Sequence, residues 1–155
     1  MLGLLLAAVL SQPSAQNFLP IAVWYGGGKV RAPMLDPDPA AHREAWRADL
    51  HTIRSLGFNT VRTWVDWSTA EPREGQYHFE NVEQLADLAN DEGLKLEVQV
   101  YVDSAPDWVG KKFPDSHFIS ISGEAMPSQA APGFCFDHPG VHAAVLRLFP
   151  HSRSE

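Results

Sequence analysis

Cysteine, positive charge and long apolar runs are all scarce in this sequence. The single cysteine, Cys135, excludes an intrachain disulfide and any metal site built from four cysteines of the chain. Lysine and arginine number 12 against 19 acidic residues, which gives a net charge of −7 and argues against a nucleic-acid partner. The apolar run at residues 2–10 is far shorter than the roughly 20 residues that a membrane-spanning helix needs. The sequence therefore predicts no nucleic-acid partner and no membrane partner.

Apolar and aromatic residues are plentiful. Hydrophobic residues make up 45% of the 155-residue chain and charged residues 20%, which is typical of one globular domain with a real core. The chain has five tryptophans. Flat indole faces can pack on sugar rings, but they also fill protein cores, so their number alone does not decide between these uses.

Residues 1–16 have features of a secretory signal. Their apolar run has signal length and is followed by small and polar residues. No lysine or arginine precedes the run, and no clean A-x-A cleavage site follows it, so a buried first strand or helix is the alternative. We expect a signal at 1–16 and a secreted or periplasmic protein that starts near residue 17.

Apolar periodicity predicts strands that alternate with helices. Strands are expected at 21–25, 59–65 and 94–102, and helices at 39–56 and 81–92, with a third helix starting at Val141. Asp38 and Asn81 are the expected N-caps, and Gly57 and Gly93 are the expected C-terminal caps. This order predicts an α/β fold whose parallel strands are joined by right-handed crossovers, with both helices on one face of the sheet.

The second predicted strand has two different faces. Val61 and Val65 point to one side, and we expect helices to cover them. The polar and aromatic residues of the other face are Arg62, Trp64 and Asp66. Arg62 either binds a ligand or forms a structural ion pair with a buried carboxylate that stabilises the fold. The alternation in the third strand suits a sheet with a polar inner face, although a half-solvated edge strand would show it too.

Three glycines, Gly26 to Gly28, follow the first strand. They permit positive φ angles and close approach of the backbone, so a phosphate-binding loop is one interpretation. No G-x-G-x-x-G or GK[ST] spacing is present and no helix starts directly after them, which favours an ordinary loop.

Several motifs occur in an order that resembles one enzyme family. An LG-x-N-x-V-R strand is followed by W-x-x-x-EP-x-x-G-x-Y-x-F, and then by DSAPDW, KKFPD, ISGEA and GFCFDHPGV. This series resembles the β-galactosidase-like family 42 of the glycoside hydrolases. The resemblance implies a (β/α)8 TIM barrel, a carbohydrate substrate, no cofactor and a retaining mechanism with two carboxylates.

The resemblance and the strand ends together suggest the substrate-binding residues. We expect these positions to line the mouth of the barrel: Tyr25, Arg62, Trp64, Asp66, Asp103 and Trp108. Some family members bind zinc through the equivalent of Cys135 and three further cysteines, which this chain lacks, so a plain buried thiol and no metal are expected. The stretch 130–134 has no arginine pair, which leaves the sugar specificity open. Glu71 could act as a catalytic carboxylate, but its place in an E-P turn favours a structural role.

The predicted elements amount to the first three β/α units of a barrel, at 17–146, followed by an unpatterned tail at 147–155. In the family the acid/base glutamate follows strand four and the nucleophile follows strand seven, so neither is expected in this chain. We therefore expect no catalytic residue and a truncated, inactive fragment. An oligomer is possible in the full-length family. A non-catalytic carbohydrate-binding module is the main alternative, and a nucleotide-binding domain using Gly26 to Gly28 is another.

Overall fold

Three parallel strands form the sheet in chain order. A computed structural model of the protein describes residues 18–28, 36–127 and 133–151. Strand β1 is Ala22–Trp24, β2 is Thr60–Asp66 and β3 is Lys95–Tyr101. Both pairs are parallel and β2 lies in the centre, so the predicted parallel sheet is confirmed. The expected signal segment at 1–16 lies outside the described residues.

Five α-helices occur in the described part of the chain. Helix α1 is Arg43–Ser55, preceded by a 3-10 turn at Ala40–His42, and α3 is Glu80–Asp91. Two short helices follow strands, α2 at Trp67–Ala70 and α4 at Asp107–Lys112, where the sequence suggested only loops. A 3-10 turn at Pro114–Ser116 follows α4, and α5 is Pro139–His151. None of the helices in the described ranges is long and apolar enough to cross a membrane.

The start of the first helical segment is capped as the sequence predicts. The Asp38 carboxylate accepts a hydrogen bond from the backbone N–H of Ala41 at 3.2 Å. The far end is terminated by Gly57, whose φ of +93° would strain any residue with a side chain. Leu56 is 71% exposed because α1 ends at Ser55 and the chain has already turned.

The predicted cap of α3 is wrong. The helix begins at Glu80, one residue earlier than expected, so Asn81 lies inside the first turn and Phe79 occupies the cap position. The Asn81 amide donates instead to the backbone carbonyl of Asp36 at 3.1 Å. Asn81 therefore ties the start of α3 to the segment that precedes α1.

Helices α1 and α3 pack on one face of the sheet. Trp46 and Leu50 of α1 share a buried cluster with Leu85 and Leu88 of α3, and Val61 of β2 belongs to the same cluster. The valine face of β2 is thus the helix-covered face, as predicted. Removing these large apolar side chains from water is the main driving force for the fold.

The third predicted helix corresponds to α5 and differs from its prediction at both ends. It begins at Pro139 and continues to His151, past residue 146 where the patterned part of the sequence was expected to stop. Val141, Ala144 and Leu148 are fully buried at spacings of three and four residues. They pack in a second cluster with Val65 and Phe134, so residues 147 and 148 belong to the folded unit rather than to a tail.

We predict that Gly140→Ala destabilises the protein by about 1–3 kcal/mol, because its new Cβ would overlap the ring of Phe113. Helix propensity alone would favour alanine here by about 1 kcal/mol, so the sign of the effect identifies the clash. Urea unfolding of both proteins measures it. The double variant F113L/G140A should recover part of the loss, and an alanine variant as stable as the parent would contradict the prediction.

Candidate functional site

The face of the sheet opposite the helices is polar and aromatic. Registered partners in neighbouring parallel strands point to the same side. Trp24 is registered with Arg62, and Arg62 with Glu97. Trp64 is registered with Gln99, and Asp66 with Tyr101. Arg62 and Trp64 therefore share a face with Tyr101, and we call this surface the inner face.

Arg62 lies at the centre of the inner face and contacts both neighbouring strands. Its Nη2 donates a hydrogen bond to Gln99 Oε1 at 3.0 Å. Its Nε lies 3.0 Å from Glu97 Oε1, an ion pair without the alignment of a hydrogen bond. The guanidinium carbon lies 4.5 Å from the centroid of the Trp24 ring. The carboxylate partner is half exposed, so the alternative in which Arg62 pairs with a buried carboxylate is wrong.

Trp24 is the inner-face residue that the sequence analysis missed. Its ring is 50% exposed and contacts Trp64 edge to face, with the ring centroids 5.4 Å apart. Strand alternation could have found it, because Val23 packs with the helix-side cluster and the next residue must point the other way.

Tyr25 is not part of the inner face, contrary to its predicted place at the mouth. It is buried in the cluster with Trp46 and Leu50, and its hydroxyl donates to Asp49 Oδ2 at 2.9 Å. Tyr25 comes directly after Trp24, and consecutive side chains along a strand point to opposite faces, so its ring points toward α1. Burial, together with the hydrogen bond and charge of Asp49, raises the pKa of Tyr25 well above its usual value.

Asp66 is the last residue of β2 and Asp103 lies two residues after the end of β3, where the loops of the two strands meet. Asp66 Oδ2 accepts hydrogen bonds from the hydroxyls of Ser68 and Thr69 at 2.6 and 2.9 Å, which stabilises the start of α2. The backbone N–H of Ser68 donates to the carbonyl of Ser104 at 2.9 Å and joins the two loops. Asp103 precedes that residue and is half-buried.

We call the end of the sheet where the loops after β2 and β3 meet the rim. Trp108 lies farther along this rim and is half-buried. Its ring contacts Trp67 edge to face, with centroids 6.0 Å apart, and its indole N–H donates to the backbone carbonyl of Glu71 at 3.0 Å. Trp67 itself is fully buried and therefore does not line a ligand site. The structure therefore brings Arg62 and Trp64 together and places Asp66, Asp103 and Trp108 at the rim.

Glu71 is a buried carboxylate whose oxygens are both bonded. It is 1% exposed; Oε2 accepts from the indole N–H of Trp67 at 2.8 Å, and Oε1 accepts from the backbone N–H of Gly75 at 2.8 Å. Burial and then the charge of Glu71 raise the pKa of Tyr77. These bonds give Glu71 a structural role, which the E-P turn favoured.

Gly28 lies against Asp49, since a Cβ added to it would be 3.1 Å from the Asp49 carboxylate. A negative charge there disfavours phosphate.

Cys135 is a free thiol that is half-buried rather than buried. Across the described ranges, no group of three or more His, Cys, Asp and Glu side chains could hold a metal ion.

We predict that Glu71→Gln destabilises the protein by about 2–3 kcal/mol, because the amide of glutamine would face one of two buried N–H donors. Urea unfolding measures the loss, and near-ultraviolet circular dichroism should report altered packing of Trp67 and Trp108. Glu74→Gln is the matched control. Glu74 forms ion pairs with Lys112 and Arg147 at the surface, so its loss should cost less than about 1 kcal/mol. Equal losses in the two variants would contradict a structural role for Glu71.

Tyr25 should make the protein less stable at alkaline pH. Its pKa is raised in the folded state, so its contribution is complete below the unfolded pKa of about 10 and declines above it. Between pH 8 and pH 11, Tyr25→Phe should lose up to about 1.4 kcal/mol less stability than the parent. The loss of stability in Asp49→Asn should lie between the losses of the parent and of Tyr25→Phe, because Tyr25 remains buried in that variant. Identical losses in the parent and the phenylalanine variant would refute the effect of Tyr25.

The sequence profile of the β-galactosidase family, family 42 of the glycoside hydrolases, matches residues 36–151. The Beta-galactosidase bgaB of Geobacillus kaustophilus is 29% identical over 106 residues, which are 68% of this chain and 16% of that protein. This chain thus spans about a sixth of the length of the curated relative that it matches.

Two solved β-galactosidases share the fold. The enzyme from the psychrophilic Marinomonas ef1 superposes with a TM-score of 0.66 at 21% identity, covering 84% of this chain and 18% of that one. The enzyme from the Antarctic haloarchaeon Halorubrum lacusprofundi gives 0.64 at 18% identity, covering 85% and 18%. With the profile matching most of its length, the chain belongs to the β-galactosidase family of glycoside hydrolases.

Proposed function

We propose that this chain forms the first three β/α units of a β-galactosidase-like (β/α)8 barrel and supplies part of its substrate-holding surface. The observation that carries the proposal is the inner face, where Arg62 is held between Trp24, Glu97 and Gln99. A face that only packed against other apolar layers would not need a guanidinium and two polar partners. Sugar rings, in contrast, offer hydroxyl groups to such donors and apolar faces to aromatic rings.

The reaction implied by the family is hydrolysis of a β-galactoside or related glycoside with retention of configuration. A nucleophile and an acid/base group lie about 5–5.5 Å apart in such enzymes. We propose that the 155-residue chain lacks both groups and does not catalyse hydrolysis by itself. Three carboxylates near the inner face support this proposal, because they are already engaged: Glu71 is buried, Asp66 accepts hydrogen bonds from two hydroxyls and Glu97 pairs with Arg62.

The remaining parts of the proposal come from sequence. The apolar segment at residues 2–10 favours a secreted or periplasmic location, where an extracellular oligosaccharide would be the substrate. A fragment with β1 and β3 as open edges should also self-associate, since unpaired edge strands template further pairing.

A non-catalytic carbohydrate-binding module is the second candidate. The half-exposed ring of Trp24 favours it, because an exposed aromatic ring beside polar groups is what a sugar-binding surface requires. A nucleotide-binding function is disfavoured by the Asp49 carboxylate beside Gly28.

We predict that the purified chain does not hydrolyse a chromogenic β-galactoside, because the acid/base and nucleophile positions are absent. The assay is run beside the Beta-galactosidase bgaB of Geobacillus kaustophilus, a relative of greater length. Turnover within a factor of about 10² of that enzyme would overturn the proposal, since one acid/base group alone usually contributes 10²–10⁴.

The same preparation tests the proposed substrate-holding role. Titration with methyl β-galactoside should shift the indole N–H resonances of Trp24 and Trp64, whereas the buried Trp46 serves as an internal control. Binding of ATP with shifts near Gly27 and no response to the galactoside would favour the nucleotide-binding alternative instead.

A further inference from the structure

The contacts of Arg62 leave one end of its guanidinium available. Nη2 is bonded to Gln99 and Nε faces Glu97, while Nη1 makes no hydrogen bond within the described part of the chain. The Trp24 ring covers one side of the group. Arg62 is about one-third exposed, so Nη1 can reach a ligand on the inner face.

The charge of Arg62 is balanced within its own layer of the sheet. Glu97 is its registered partner on β3 and pairs with Nε at 3.0 Å. Toward the rim, Asp66 adds a second negative charge, and in the opposite direction the exposed Lys95 is registered with Thr60. The side of the inner face that leads to the rim is therefore neutral to acidic.

An unpaired guanidinium would favour anionic ligands, because carboxylates and phosphates bind it in a bidentate manner. Glu97 opposes this preference. An anionic sugar at Nη1 would meet the negative charge of Glu97 and, nearer the rim, that of Asp66. A neutral sugar hydroxyl meets no such repulsion and can still accept a hydrogen bond from Nη1.

We propose that Glu97 is a specificity-determining residue that restricts the Arg62 subsite to neutral sugars, and that Trp24 is the positioning residue that holds Arg62 for this contact. The inference rests on the proposed substrate-holding function of the inner face. It adds a selection against sugars that carry a carboxylate or phosphate group. It also assigns roles to two side chains that the motif pattern did not single out.

The test compares the parent chain with Glu97→Gln, using methyl β-galactoside and galacturonate as probes at low salt. The parent should bind the neutral sugar and discriminate against galacturonate. The glutamine variant should bind galacturonate roughly fivefold more tightly relative to the neutral sugar, an effect that added salt reduces. Glu83→Gln is the matched control, because it removes the same charge from an exposed position on α3 and should leave the ratio unchanged.

Trp24 is tested with Trp24→Phe and Trp24→Leu. The Nε–Hε resonance of Arg62 should keep a ring-current shift in the phenylalanine variant and lose it in the leucine variant, with galactoside binding lost in parallel. Leucine also fills part of the space that tryptophan leaves but has no aromatic face, so rescue by phenylalanine and not by leucine identifies the contact of the ring with the guanidinium. Equal binding by the leucine variant and the parent overturns the role of Trp24.

The outcomes separate the two levels of the proposal. If the parent binds neither sugar, the substrate-holding function is overturned and this inference with it. If the parent binds methyl β-galactoside but Glu97→Gln and Glu83→Gln show the same sugar ratio as the parent, only the role of Glu97 is overturned.

Discussion

The buried carboxylate of Glu71 is the contact on which the rim of the sheet depends. A charge removed from water is tolerated only when hydrogen bonds replace its hydration, and Glu71 receives one from the Trp67 indole and one from the Gly75 backbone. Its own carbonyl accepts from Trp108. The end of β2, the turn after α2 and the start of α4 are thereby joined through a single residue. Ser68 and Ser104 add a backbone bond between the same two loops.

This rim separates two kinds of surface. On the helix-covered face of the sheet, α1 and α3 cover the valines of β2 and exclude water from large apolar side chains. On the other side, Arg62, Glu97 and Gln99 keep a polar layer half in contact with solvent, with Trp24 and Trp64 packed around it. The first surface stabilises the fold, and the second retains groups that can bind a ligand. A parallel sheet with helices on both faces could not offer that second surface.

The family assignment and the inner face support each other but rest on different grounds. The profile match covers residues 36–151, which begins after β1 and so leaves out Trp24. The contact between Trp24 and Arg62 is a property of the pairing between β1 and β2, which depends on the parallel register of those strands. Conversely, no distance on the inner face identifies galactose as the sugar. Family membership supports the proposed reaction class, and local charge and geometry support the proposed choice of ligands.

Much of the fold follows from local signals in the sequence. The strand and helix order was predictable because apolar spacing is two residues in strands and three to four in helices, and Gly57 could be placed as a cap because its position requires a positive φ. The two faces of β2 followed from the same alternation. These features depend on residues that are close together in the chain.

Other features required the tertiary structure. The sequence alone could not show that Tyr25 faces Asp49, that Trp67 is buried against Glu71, or that Glu97 is the partner of Arg62. The burial of Leu148 likewise had no signal in the sequence, because its contacts are with the distant cluster around Val65. By itself the sequence determined the three strands and the three longer helices, their order and the polar character of one strand face. The tertiary structure decided which side chains meet, because strand register and helix packing join residues that are dozens of positions apart and share no local signal.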